Sequence, residues 1–354
     1  MKTNVLVTGT DHHFTQKHSL DLSCPDFKKA FLNSEYELVS EPPGKFLIAF
    51  NHNNKVYKQF IADGGEKSRA VLIRLEPECV YPLQYKNKTI SKYELVLSAG
   101  RSTTARGDVF IKWPYAYNKN PSKPDELNFD LEKLIKDNQE LFSWDSWKNR
   151  NIKISLIAAN KVSAISKSNY TLRKKLAHQI SVNGFEVYGP FWESTFLKRI
   201  RHSLVVGLVA AKQSTFPNLY SLFRHLLWNY TASKGEVEDK HLILKSSKYS
   251  LIVENSDECV TEKLFDAILN AAIPIYVGPR LESVGLPSGI AIEISGEIEE
   301  VYKALGNESE AKVQARLDEM YKFISSRDFL DSWSSENVYK HLAESTILFF
   351  EASR

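Results

Sequence analysis

The 354 residues carry 46 Lys and Arg against 43 Asp and Glu, a formal net charge of +3, with 43% hydrophobic and 25% charged residues. This composition is that of a globular protein long enough for two domains, and so small a charge gives no argument for a nucleic-acid binder. Cys24, Cys79 and Cys259 stand far apart without CxxC spacing, which argues against a disulfide framework or a zinc site.

No run approaches the ~20 apolar residues of a bilayer span, and the apolar part of MKTNVLVTGTDHHF is too short for a signal peptide. A cytoplasmic protein is therefore expected, and the sequons at Asn87, Asn169, Asn229 and Asn307 read as chance matches. The start is instead a first strand, Val5 to Thr8, ending at Gly9. His12 and His13 beside Asp11 lack a third ligand at metal spacing and read as a surface turn. FLIAFNHN (Phe46 to Asn53) is a buried strand ending in polar residues, after which Val56, Tyr57, Phe60 and Ile61 recur at helical spacing. VLIRLE (Val71 to Glu76), YELVLS (Tyr93 to Ser98) and VFIKW (Val109 to Trp113) continue as strands, and the alternation predicts a doubly wound α/β domain.

NKNPSKPDE is rich in Pro and Lys, and FDLEKLIKDNQELFSWDSW reads as a polar helix with an aromatic tail. A domain boundary is expected near residue 150, dividing the chain into 1–150 and 151–354. IKISLIAAN is then a strand, TLRKKLAHQISVNG a helix closing at Gly184, EVYG a strand and LYSLFRHLLWNY a helix. YSLIV (Tyr249 to Val253), IPIYVG and IAIEIS (Ile290 to Ser295) complete a second α/β pattern, and Glu297 to Arg354 reads as largely helical.

The densest polar chemistry lies between YSLIV and IPIYVG: Glu254, Asn255, Ser256, Asp257, Glu258, Thr261, Glu262 and Lys263. In an open parallel sheet ligands bind beyond the carboxyl ends of the strands, and this cluster sits at such an end. Thr261 opens a helix whose apolar face is Leu264, Phe265, Ile268 and Leu269. A helix start attracts phosphate, and Lys263 in its first turn, unfavourable on dipole grounds, hints at an anionic ligand. Physical reasoning alone leaves two readings open, a phosphate-bearing ligand or a solvated loop with a capped helix.

The spelling ENSDECVTEKLFDAILNAAIPIYVGP resembles the donor-binding segment of the glycosyltransferase family 10 fucosyltransferases, where F-E-N-S/T leads to Y-I/V-T-E-K, a helix and V/I-P-V/I. Upstream, ISLIAANKVSAISKSNYTLRKKLAHQI and FEVYG look like the family's strand, arginine-bearing helix and V-x-V-Y-G segment. FLIAFNHN and SRAVLIRLEPECVYP resemble its F-H-H strand and E-S-P turn more loosely, and KYELVLS resembles D-S-D-I. The resemblance covers about residues 45–295 and is strong from 152 onward. It implies a GT-B-like α/β fold of two Rossmann-like domains facing across a cleft. The N-terminal domain would bind the acceptor and the C-terminal domain the donor, with L-fucose moving from GDP-fucose to a glycan hydroxyl with inversion, in α1,3- or α1,4-linkage.

By that resemblance Arg173 holds the donor diphosphate, and without a metal an inverting transfer must neutralise the leaving GDP with Arg, Lys and helix N–H groups. A surface position in the charge run 173–175 is the alternative. Lys263 meets the phosphates and Glu262 the ribose hydroxyls, against a plain role for Glu262 in compensating the helix dipole. Glu254 and Asn255 face the sugar or position the loop; the alternative for Glu254 is a buried carboxylate paired with Lys263 or Arg173. Glu76 matches the general base, with Glu78 two residues on as competitor on the acceptor side. His52 lies at an acceptor-side strand end or simply caps it, and Tyr188 and Gly189 lie near the guanine or in the core. No metal or other cofactor is implied.

The chain departs from the pattern at Cys259, which stands where the family has a tyrosine, and in a shorter loop before it; both put the donor sugar in question. A depressed thiol pKa is open at a helix start, but Cys259 reads as packing. The expected partners are GDP-fucose and a glycan acceptor, as in lipopolysaccharide or O-antigen synthesis, and no nucleic acid. Peripheral association with the inner membrane through FLKRIRHSLVVGL is an alternative to a plain donor-domain helix. Another GDP-hexose donor, such as GDP-L-galactose, or a non-catalytic sugar-nucleotide-binding protein are the competing functions.

Overall fold

The computed structural model describes residues 2–9, 25–98, 109–110, 131–163, 165, 167–192, 195–212, 219, 222–223, 226, 232–306 and 309–353. The Asp11–His13 turn, most of LYSLFRHLLWNY and residues 111–113 of VFIKW lie outside them. The chain divides into two compact units, Met1–Phe129 with Asp331–Arg354, and Asp130–Leu330.

The first unit holds strands β1 (Thr3–Gly9), β2 (Tyr36–Val39), β3 (Phe46–Phe50), β4 (Ala70–Arg74), β5 (Leu95–Ser98) and β6 (Val109–Phe110), with helices α1 (Pro25–Leu32), α2 (Asn54–Ala62) and α3 (Asn87–Ile90). All six strands pair in parallel in the order β2-β1-β3-β4-β5-β6. Every residue of β3 and β4 is buried, as expected of a parallel sheet covered on both faces. Alternation along β3 sends Phe46, Ile48 and Phe50 into one apolar layer and Leu47 and Ala49 into the other. The first layer is completed from the far end of the sequence: Val338, Tyr339, Leu342, Ala343 and Phe350 of the helix Ser335–Ala352 pack there. The Phe350 ring lies 4.3 Å from that of Phe46 and 5.4 Å from that of Tyr36.

The second unit begins at 130, some way before the boundary expected near 150. Helices α4 (Leu131–Asp137) and α5 (Trp144–Lys148) are anchored to it by side chains that reach its backbone. Asn138 Nδ2 donates to Leu269 O at 2.8 Å, and Trp147 Nε1 to Lys248 O at 2.8 Å. Buried Arg150 donates to Ser247, Asn270 and Ala271 carbonyls. The polar spelling of this stretch hid three buried anchors, and the final helix, assigned with the C-terminal domain, belongs to the first unit.

In this second unit β7 (Ile152–Ile157), α6 (Tyr170–Gln179), β8 (Phe185–Tyr188), α7 (Phe196–Lys212), β9 (Ser247–Val253), β10 (Ile273–Val277) and β11 (Ile292–Glu293) form a parallel sheet ordered β11-β10-β9-β7-β8. Helix α6 ends at Gln179, short of Gly184, because Ile180 leaves the helical conformation. The helices Ile298–Leu305 and Glu310–Ile324 confirm the helical reading of the following stretch. Strand order runs outward to β8 from one side of β7 and to β9, β10 and β11 from the other. The carboxyl ends of β7 and β9 therefore flank the point where the topology reverses, the place where α/β sheets bind ligands. Among the described residues no helix is long and apolar enough to cross a membrane.

Candidate functional site

The reversal point is built by Arg173. It lies in α6, is 3% exposed and spans the crevice, donating from Nη1 to Ala159 O at 3.3 Å and from Nη2 to Val253 O at 2.5 Å. Nη2 also donates to Asn255 Oδ1 at 3.2 Å. The guanidinium thus ties the ends of β7 and β9 together, which removes the surface-helix alternative for this residue. Asn255 is held a second time, since Asn169 N donates to its carbonyl at 2.9 Å and Asn169 Nδ2 to Asp257 Oδ1 at 2.7 Å.

Beyond β9 the chain enters a compact carboxylate–hydroxyl–ammonium unit. Glu254 is fully buried; Oε1 accepts from Thr261 N at 2.8 Å and Oε2 from Thr261 Oγ1 at 2.6 Å. Lys263 Nζ donates to Thr261 Oγ1 at 2.8 Å and lies 3.8 Å from Glu254 and 3.9 Å from Glu262. Thr261 is the N-cap of the helix Glu262–Leu269, yet its hydroxyl serves Glu254 rather than the helix. Glu254 is a buried carboxylate beside Lys263, as its alternative reading had it, and burial pushes its carboxyl upward against the pull of Lys263 and Thr261. Gly278 makes room for it, because a Cβ there would fall 2.5 Å from Tyr276 Oη and 2.9 Å from Glu254 Cγ.

Lys263 in the first helical turn therefore has protein carboxylates beside it. The unfavourable dipole placement that pointed to a ligand is at least partly compensated from within the chain. Burial alone would raise the Glu262 carboxyl, but Lys263, Lys240 and the helix-start N–H bring it below the usual range. Deeper in the same helix, Asp266 pairs with Lys240 and is raised to about 6 by burial. Cys259 is 1% exposed, in keeping with packing.

Tyr188 and Gly189 close β8. Tyr188 is buried and its hydroxyl donates to Glu186; burial, then that carboxylate, raises the phenol. Gly189 has φ +123°, and a Cβ there would come 2.4 Å from Ala158 O. Tyr188 is thus the core tyrosine, and the aromatic ring exposed at this strand end is Phe191, 56% exposed and held at φ 70°. A bulky side chain in the left-handed region is strained and marks a functional candidate that a search for motifs passes over. The sequence reading also left Lys174 and Arg199 unassigned; both are buried near Arg173 in this unit. A separate pocket of about 520 Å³ includes Tyr249, Ile273, Arg316 and Glu319; it reaches the amino ends of β9 and β10, away from this site.

In the first unit Glu76 and Glu78 follow β4, both half-buried. The Glu76 backbone is fixed on both sides: its N–H donates to Asn51 Oδ1 at 3.4 Å, and its carbonyl accepts from Gln84 Nε2 at 2.9 Å and Tyr85 Oη at 3.0 Å. Asn51, which the sequence reading missed, ends β3 at φ 58°, a conformation Asn tolerates better than most residues, and also accepts from Leu75 N at 3.1 Å. The following His52 is 1% exposed; its Nδ1 lies 2.7 Å from Tyr93 Oη, and its carbonyl accepts from Tyr81 Oη at 2.6 Å. Burial, helped by Lys92, lowers the imidazole to about 4, so it is neutral at pH 7.

No protein-family model matches the sequence, and no curated protein does. Solved structures share the fold. A structure of α1,3-fucosyltransferase with GDP matches at a TM-score of 0.54 and 13% identity, over 99% of this chain and 90% of that one. A structure of α1,3-fucosyltransferase with GDP-fucose matches at 0.52 and 13%, over 99% and 90%. Alr3699/HepE from Anabaena in complex with UDP matches at 0.53 and 10%, over 98% and 99%. At these identities the likeness establishes the GT-B-like α/β fold.

Proposed function

We propose that the chain is an inverting glycosyltransferase that moves L-fucose from GDP-fucose to a glycan hydroxyl. The observation that carries the reading is the construction at the reversal point of the second sheet. The segment resembling the donor-binding motif of family 10 fucosyltransferases is held there by two hydrogen-bonded groups, Arg173 with Val253 and Asn255, and Glu254 with Thr261 and Lys263. Structures of α1,3-fucosyltransferase with GDP and with GDP-fucose share the fold.

In this reading Glu262 accepts hydrogen bonds from ribose hydroxyls, and Arg173 and Lys263 oppose the charge of the diphosphate. Glu76 takes the proton of the acceptor hydroxyl as that oxygen attacks the anomeric carbon. The C1–O bond to the diphosphate breaks with its electron pair, and GDP leaves carrying the added charge. The protein's cations take the part a metal would otherwise play, so no cofactor is required. Exposed Leu197, Leu204 and Leu208 of α7, with Arg201 among them, are the surface through which peripheral membrane association would act.

A second reading keeps the fold and changes the donor. It is favoured by the match to a UDP-bound structure and by Cys259 standing where the fucosyltransferases have tyrosine. Calorimetric titration with GDP, GDP-fucose, GDP-mannose and UDP-galactose, without added metal, separates the two. GDP ligands are expected to bind best, with a gain from fucose. Preference for UDP-galactose would transfer the assignment to a uridine donor, and absence of binding to all four would end the catalytic reading.

A further inference from the structure

Two helices of the second unit bring cations together at their amino-terminal ends. Arg173 and Lys174 lie near the start of α6 and Arg199 in the first turn of α7, where the helix dipole opposes positive charge. Lys174 is 4% exposed and Arg199 7%. Burial, followed by the charges of Arg173 and Arg199, lowers the Lys174 ammonium to about 7. His178, one turn along α6, and His202, one turn along α7, are lowered by burial and then by Lys174, with Lys161 adding to the effect on His202. Lys174 of α6 thus feels Arg199 of α7, and with Ser203 these are buried polar side chains of the two helices, here called the α6–α7 seam.

The arginines differ in what they have to offer. Both Nη atoms of Arg173 are engaged with Ala159, Val253 and Asn255. Arg199 makes no ion pair among the described residues, and its Nε and Nη1 are buried without a hydrogen-bond partner. The Ser203 hydroxyl, one turn further along α7, is likewise buried without a partner among the described residues. Burying an uncompensated guanidinium is costly, and its fork of donors is matched best by phosphate oxygens. The start of α7, where Arg199 lies, favours the same kind of ligand.

We propose that the α6–α7 seam is a diphosphate-binding site in which Arg199 donates to the phosphate oxygens, Lys174 supplies a second positive charge and Ser203 a hydroxyl donor. Arg173 braces the strand ends beside it and, with Lys263, adds its charge against the same diphosphate. That the diphosphate belongs to a nucleotide sugar rests on the function proposed above; the site itself is tested without a nucleoside.

The experiment is calorimetric titration of the full chain with inorganic pyrophosphate, alongside thermal unfolding, for the wild type, Arg199→Gln and Ser203→Ala. Pyrophosphate is expected to bind the wild type, and Arg199→Gln to weaken it about tenfold or more, the scale of one charge-assisted hydrogen bond. Without ligand, Arg199→Gln should melt at or above the wild-type temperature, since it removes an unsatisfied buried charge. Absence of pyrophosphate binding to the wild type, or equal affinity in Arg199→Gln, overturns the site. So does a variant that melts lower with its affinity intact, which would make Arg199 a structural cation. Should Arg199→Gln fail to fold, Ser203→Ala decides, because it removes only a hydroxyl; undiminished affinity there overturns the proposal. If pyrophosphate binding depends on Arg199 while GDP and UDP bind no more tightly than pyrophosphate, the seam stands and the nucleotide-sugar reading falls.

Discussion

Acidification should destabilise the first unit through His52. The ring is 1% exposed, sits against Tyr93 Oη at 2.7 Å and feels Lys92. Its pKa falls from 6.5 to about 4, mainly by burial and secondarily by that lysine. In the unfolded chain the imidazole gains its proton below about 6.5, whereas in the folded chain it stays neutral until about 4. Between those values the unfolded state binds more protons, so stability falls as pH falls, starting near the higher value and complete below the lower. At about 1.4 kcal/mol per pH unit this interval is worth roughly 3 kcal/mol, a large part of the ~5–15 kcal/mol that holds a domain together. Chemical denaturation of the wild type and His52→Gln at pH 7, 5.5 and 4 isolates the effect. The wild type should lose about 3 kcal/mol more than the variant over that range. Parallel loss in both proteins would refute the reasoning and mean that the folded state accepts the proton without penalty.

Gly189→Ala should destabilise the second unit by at least about 2 kcal/mol, since its Cβ would meet Ala158 O at 2.4 Å and its φ of +123° suits no other residue; unchanged thermal unfolding would show that the strand end relaxes freely. Glu254→Ala removes both acceptors of Thr261 and the carboxylate nearest Lys263, but Lys263 keeps a 21% exposed side chain and can turn to water. The expected cost is therefore about 1–3 kcal/mol, not the larger penalty of an orphaned buried ion, accompanied by weaker GDP binding. A variant as stable as the wild type, with its GDP affinity intact, would remove Glu254 from the loop's construction.

The fold was legible because its strands are apolar runs of the right length. FLIAF, AVLIR, SKYSLIV and IPIYV carry their burial on their face, and parallel pairing follows from the helices between them. The boundary near 150 was misplaced for a reason equally physical. Asn138, Trp147 and Arg150 bind backbone carbonyls of residues about 100 to 130 positions away, a commitment that a polar, lysine-rich stretch does not advertise. The final helix shows the same limit: its apolar positions announce that it packs, while only the fold reveals that its partners are Tyr36 and Phe46.

At the candidate site the limit is different, because sequence spelling reports which charges are present but not where their counter-charges lie. Lys263 looked like a cation waiting for a ligand, yet it sits beside Glu254 and Glu262 of the chain itself. Arg199, inside FLKRIRHSLVVGL, carried no assignment of its own, yet it is buried while its helix neighbour Arg201 is exposed. What distinguishes a ligand-binding cation from a structural one is the balance of donors and acceptors around it, and that balance is set by residues distant in sequence. On this criterion the second unit is polarised. Carboxylates gather at the start of the helix Glu262–Leu269, suited to hydroxyls, and the donors of Arg199 and Ser203, without partners among the described residues, lie one turn apart on α7, suited to phosphate. A ligand with hydroxyls at one end of a short polyanion, as in a nucleoside diphosphate, is the kind of molecule that answers both.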